Sequence, residues 1–199
     1  MRISNLLLAL LLISSPAFAI ADVDSMLKQK QRSGLPTKQG QNPLRDMSLL
    51  GGNCTKVQLF NEKVEEACDK AANLRYKNTR SGFWFFLNDY IITFSGMGTS
   101  ARKISEHKTI QKVDLLLITN TRGLPPKEKY FSDKLPKTPT PQKYSAIGIC
   151  SWENPYRSIP TRIHCLAKTK KGTFYVEFDH DGNQPKIVHK NGEPVRKKI

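Results

Sequence analysis

The chain has 199 residues, 38% of them hydrophobic, and carries 32 Lys and Arg against 17 Asp and Glu, a net charge of +15. That length holds one modest domain with tails and leaves no room for several. The charge favours anionic partners such as nucleic acid, acidic polysaccharide, anionic lipid or an acidic protein face, yet lysines run from Lys28 to Lys198 in no single block, as on an ordinary solvated surface.

Arg2, the apolar stretch from Leu6 to Ile13, the helix-breaking Ser14-Ser15-Pro16 and the small-residue site Ala17-Phe18-Ala19 have the three-part form of an export signal. Its apolar run is shorter than the roughly 20 residues a membrane span needs, so the segment 1–19 is predicted to be removed after Ala19, with Ala21 as the other candidate site. Arg2 is the only charged residue lost, which leaves +14. Residues 20–53 are polar and hold Gly34, Pro36, Gly40, Pro43, Gly51 and Gly52; they read as a flexible leader with a short helix at 24–32, and the core is expected to begin near Cys54.

Export makes four cysteines two disulfides before it makes them metal ligands. Of three pairings, proximity selects Cys54–Cys68 and Cys150–Cys165. Each closes a loop of about 15 residues, worth about 3 kcal/mol by chain entropy. There is no Cys-x-x-Cys for zinc, and neither a cofactor nor a metal site is expected.

Val57, Phe60, Val64, Ala67, Ala71 and Leu74 recur at helical spacing, but a straight helix would hold Cys54 and Cys68 about 21 Å apart, whereas bridged Cα atoms lie within about 7 Å. A hairpin turning at Asn61-Glu62-Lys63 is therefore predicted. Phe83-Trp84-Phe85-Phe86-Leu87 and Tyr90-Ile91-Ile92-Thr93-Phe94 flank a two-residue Asn88-Asp89 loop, a second hairpin. Its pairing puts Phe83, Phe85, Leu87, Tyr90, Ile92 and Phe94 on a core face. Trp84, Phe86, Ile91 and Thr93 form an opposite face that is either covered by a second layer or exposed as a binding patch.

Residues 113–119 form a strand, with 104–110 leading into it. Residues 120–145 hold Pro125, Pro126, Pro136, Pro139 and Pro141 among lysines and read as a long extended loop; Pro136-Lys137-Thr138-Pro139 matches polyproline-ligand spacing, a pattern frequent by chance. The third hairpin pairs 146–152 with 161–168 around the loop 153–160, and placing Cys150 opposite Cys165 sets Trp152 against Ile163 and Gly148 against Ala167. Strands at 173–178 and 186–190 follow, then Asn191-Gly192 and a basic tail at 191–199. The chain is thus mainly β, a single antiparallel barrel or sandwich of about seven or eight short strands braced by two disulfides at 54–190.

Catalytic patterns are scarce. Setting Gly182 at the sixth position of a calcium loop puts Val188 where a bidentate glutamate is required, so the turn at 179–183 is structural. Glu153, Glu177, Asp179 and Asp181 offer carboxylates but no spacing that selects a pair, and His107, His164, His180 and His189 sit in no recognisable nucleophilic arrangement. Arg80, Arg102 and Lys103 beside Trp84 and Phe86 have the residue types for stacking and phosphate contacts, though an exported protein meets little nucleic acid. Asn53-Cys54-Thr55 fits a glycosylation sequon, with its central cysteine committed to a bridge. The expected function is a secreted, non-enzymatic binding protein, an effector acting on a host protein; the alternatives are a module for anionic polymers or envelope surfaces and an unrecognised hydrolase. The candidate binding residues are Trp84 and Phe86, Lys127 and Lys137 in the long loop, and Asn154, Tyr156 and Arg157 in the loop 153–160, the two loops acting together.

The run Arg80-Ser81-Gly82-Phe83-Trp84-Phe85, with Thr93-Phe94-Ser95-Gly96, Gly148-Ile149-Cys150, Asn154-Pro155-Tyr156, Ile163-His164-Cys165-Leu166-Ala167 and Gly172-Thr173-Phe174, resembles small exported proteins of alphaproteobacteria that have no assigned activity. The resemblance spans about residues 54–185. It implies a secreted, β-rich, cysteine-paired domain and transfers no functional residue.

Overall fold

The computed structural model describes residues 44–65, 68–123, 140–191 and 193–194. The predicted export signal, the helix predicted at 24–32, Lys127 and Lys137 fall outside them. The described residues form twelve strands in chain order: β1 Leu44–Leu59, β2 Glu62–Lys63, β3 Lys70–Tyr76, β4 Arg80–Phe86, β5 Tyr90–Met97, β6 Arg102–Lys103, β7 Lys108–Asn120, β8 Gln142–Glu153, β9 Thr161–Thr169, β10 Gly172–His180, β11 Lys186–Lys190 and β12 Glu193–Pro194. Eight of them form a closed antiparallel barrel in which each strand pairs with the next, β1-β3-β4-β5-β7-β8-β9-β10, and β10 returns to β1. Closure removes the sheet edges that an open sheet of this size would leave.

Strand β1 begins well inside the expected leader. Its first half pairs with β3 (Leu44↔Tyr76 to Gly51↔Lys70) and its second half with β10 (Gly52↔His180 to Gln58↔Tyr175). Met47, Ser48 and Leu50 are buried there. The mixed, glycine-containing composition of residues 44–53 hid a strand whose alternation is broken at Met47 and Ser48, and the barrel needs that strand to close. At the changeover Gly52 has φ +149°, and a Cβ there would lie 2.1 Å from the Asp179 carbonyl oxygen, so only glycine lets the first and last barrel strands meet.

The second and third predicted hairpins hold, and the first turns one residue earlier than expected, because Glu62 and Lys63 already pair back with Leu59 and Gln58. The turn after β1 comes at Phe60 and Asn61, both with positive φ, and the Val64 N–H donates back to the Val57 carbonyl. Phe83 pairs with Phe94 and Phe85 with Ile92; Cys150 faces Cys165, Trp152 faces Ile163 and Gly148 faces Ala167. Both disulfides, Cys54–Cys68 and Cys150–Cys165, are formed. They are the mark of an oxidising compartment, extracellular or periplasmic.

Alternation decides what fills the barrel. Inward residues of β4, β5, β9 and β10 such as Phe83, Phe85, Ile92, Phe94, Ile163, Phe174 and Phe178 are at most 1% exposed and belong to one core. Phe85 packs edge-on against Phe94 at 5.8 Å, and Phe83 against Trp152 at 5.1 Å. An interior of this kind is solid, and cutting one such ring to alanine costs about 3–5 kcal/mol. The outward residues of β9 and β10 include Arg162, His164, Glu177 and Asp179, an order of polarity opposite to that of a lipid-facing barrel wall. No helix among the described residues is long and apolar enough to cross a membrane.

A second cluster lies on the other face of β3, β4 and β5. Phe86, Ala72, Leu74, Met47 and Ile91 pack there with Trp84, Tyr76 and Val188 of β11 beside them. Phe86 is fully buried, which removes it from the candidate binding residues; Trp84 is half-buried, its ring edge-on to Phe86 at 6.1 Å. Of the two readings of that face, the covered one is the observed one.

Candidate functional site

In a barrel whose strands run alternately up and down, consecutive connections leave from opposite ends. The β7–β8 connection starts after Asn120 and rejoins the sheet at Gln142, while residues 153–160 join the far end of β8 to β9. The two loops expected to act together are therefore anchored a 12-residue strand apart, about 40 Å along the chain. The two anchorages lie at opposite ends of the barrel.

The loop 153–160 is held from several sides. Asn154 Oδ1 accepts from the Tyr156 N–H at 3.0 Å and caps a short 3-10 turn, Pro155–Arg157, in which Pro155 is buried. The Asn154 N–H donates to the His107 carbonyl at 3.3 Å. The Tyr156 hydroxyl donates to Ser48 Oγ of β1 at 2.8 Å, and Gln184 Nε2 donates to the Tyr156 carbonyl and to Ser158 Oγ. With its backbone so fixed, the loop still shows Tyr156 at 46% and Ile159 at 42% exposure. Met97 and Ile104, also exposed, belong to connections at the same end.

Beside this loop is an open cleft of about 450 Å³. Lys108 begins β7 and Glu153 ends β8, in register with each other. Across from them come Thr161, Arg162 and His164 from β9 and Asp179 and His180 from β10, with Pro160 at the lip. Arg162 and Asp179 form a two-pronged pair, Nε to Oδ1 at 2.5 Å and Nη2 to Oδ2 at 3.1 Å. Aspartate 181, in the next turn, accepts from the Asn183 N–H at 2.8 Å and from its side-chain amide at 3.0 Å, so the turn at 179–183 closes on itself.

Glu177 ties the outer wall to the cleft. Its nearly buried carboxylate accepts from Tyr175 Oη at 2.8 Å and Thr55 Oγ1 at 3.0 Å, with Lys56 Nζ at 3.5 Å and Arg162 Nη1 at 3.6 Å. Burial alone would raise its pKa; the hydrogen bonds from Tyr175 and Thr55 and the charge on Lys56 prevail and hold it below the ordinary carboxylate value. The same pairing, added to burial, pushes the Tyr175 phenol up to about 12. Because the single Tyr175 proton goes to Glu177, the 3.2 Å contact between Tyr175 Oη and His164 Nδ1 requires Nδ1–H to donate. Neutral His164 therefore presents Nε2 as an acceptor. Burial keeps its pKa below the usual histidine range, with Glu177 opposing.

At the inner edge of the cleft, Thr161 and His180 are direct cross-strand partners. The His180 side chain is fully buried and its Nδ1 accepts from the Gly182 N–H at 3.3 Å, which places the neutral ring's hydrogen on Nε2. That Nε2 and Thr161 Oγ1 have no hydrogen-bond partner among the described residues; Asp181 Oδ1 stands 3.7 Å from Nε2.

Asn154, Tyr156 and Arg157 are thus assembled at one barrel end, away from Trp84, Phe86 and the long-loop anchors. Sequence reasoning did not single out Thr161, Arg162 or Lys108. Extending the Cys150↔Cys165 register through the turn after β9 pairs His164 with Glu177 and Thr161 with His180, and that signal was present. Comparison with protein-family models, curated proteins and solved structures finds no match.

Proposed function

We propose that this protein is an exported, non-enzymatic binding protein whose recognition surface is the barrel end carrying the loop 153–160. The observation behind this reading is the preformed loop, fixed through Tyr156, Asn154 and Gln184 while Tyr156 and Ile159 stay half-exposed. Rigid presentation of an aromatic and an aliphatic side chain lowers the ordering cost of association. The signal-like residues 1–19 and the two disulfides support a partner met outside the cytoplasm of origin, such as a host protein bound by a secreted effector.

Pull-down from host and periplasmic extracts tests it with the wild type, Ile159→Asp, and Phe60→Asp at the opposite end. A partner retained by Phe60→Asp and lost by Ile159→Asp is the expected result. Equal recovery by all three removes this barrel end as the surface. The net charge of +15 favours a second reading, attachment to anionic polymers. Such binding would weaken steeply with added salt, whereas an apolar loop contact would not.

A further inference from the structure

We propose that the cleft beside the loop is a carbohydrate site, taking a neutral sugar through its hydroxyl groups. This goes beyond the protein-partner reading and rests on Thr161, His164 and His180 rather than on Tyr156 and Ile159, so either can fail alone. The inner edge supplies Thr161 and His180, two residues that line the cleft and whose Oγ1 and Nε2–H are buried just beneath its surface without a hydrogen-bond partner among the described residues. Leaving such groups buried without partners costs about 1–3 kcal/mol each, a cost that folding alone does not recover and a ligand oxygen would.

The rest of the lining selects the ligand class. Formal charges cancel: Lys108 and Arg162 against Glu153 and Asp179. An anionic ligand would face two carboxylates and a cationic one two cations. Apart from Pro160 the lining has no apolar side chain, which disfavours a peptide side chain or a lipid tail. The two histidines sit in opposite tautomers, His164 offering an acceptor and His180 a donor. A hydroxyl both donates and accepts, and a sugar ring places several side by side. The cleft volume of about 450 Å³ lies within the range of small-ligand sites.

The test is a titration of the folded, oxidised protein, followed by amide and imidazole NMR shifts, with methyl glycosides of glucose, galactose and mannose and with N-acetylglucosamine; acetate and phosphate serve as anion probes. At least one sugar should produce saturable shifts at Thr161, His164 and His180 that are unchanged by added salt. Thr161→Val, close to isosteric, should weaken that binding at least tenfold while its melting temperature stays at or above the wild-type value. Ile159→Asp should leave it intact. The proposal is overturned if no sugar shifts these residues, if acetate or phosphate binds there instead with steep salt dependence, or if Thr161→Val binds as the wild type does.

Discussion

Acidification should destabilise the fold through His180 before it does so through Glu177, Asp46 or Asp181. The side chain is fully buried, and burial lowers its pKa from the ordinary 6.5, with nearby Asp181 opposing. Once the pH falls below about 6.5 the unfolded chain takes up a proton there that the folded chain refuses, so stability, complete above that value, is lost as the pH falls toward the folded-state pKa. Between pH 7.5 and 5.5 this linkage is worth up to about 1.4 kcal/mol, a sizeable share of a typical total of about 5–15 kcal/mol. With a urea dependence of about 2 kcal/mol per molar, the midpoint should drop by up to about 0.7 M. Glu177, Asp46 and Asp181 all have lowered pKa values, so their contributions are lost only at more acidic pH. His164 adds to the same window, so urea titrations of wild type and His180→Gln at both pH values isolate the His180 part as a difference. An equal midpoint shift in the two proteins would refute the reasoning.

Three further outcomes follow from the packing. Gly52→Ala should prevent barrel closure, costing more than about 3 kcal/mol or abolishing folding, read by circular dichroism and urea melts. Asp114→Ala should cost about 3 kcal/mol in denaturant unfolding, because it strips the partner from Arg80, whose side chain is only 10% exposed and otherwise meets Ser95 and Met97. Replacing both Cys150 and Cys165 by alanine should cost about 3 kcal/mol, seen as a lower melting temperature under non-reducing conditions.

The hairpins were legible because each carries its own evidence: aromatic alternation around Asn88-Asp89, and matched partners on either side of Cys150 and Cys165. Strand β1 was not legible at Leu44, since its partners are Leu74 and Tyr76 on one side and, later, Phe178 on the other, and no local pattern announces pairings so distant. Phe86 was ambiguous for a related reason: alternation assigns a face but not what covers it. The separation of the two loops needed only connectivity, because strands that alternate direction send successive loops to opposite ends. The cleft required the β9–β10 register to be carried outward from the disulfide to His180.

The union of β1 with β10 bears on when this chain can fold. Its register joins Gly52 to His180 and Gln58 to Tyr175, so the last barrel strand must exist before the first is held on both sides. Pairings of such long sequence separation slow folding, because the entropy of loop closure is spent before the contacts form. A nascent chain lacking β10 has an open barrel with two unsatisfied edges and stays uncommitted until nearly all of it has been synthesised. Such lateness suits the proposed export, in which the chain would cross a membrane before it folds and acquire its cysteine bridges afterwards.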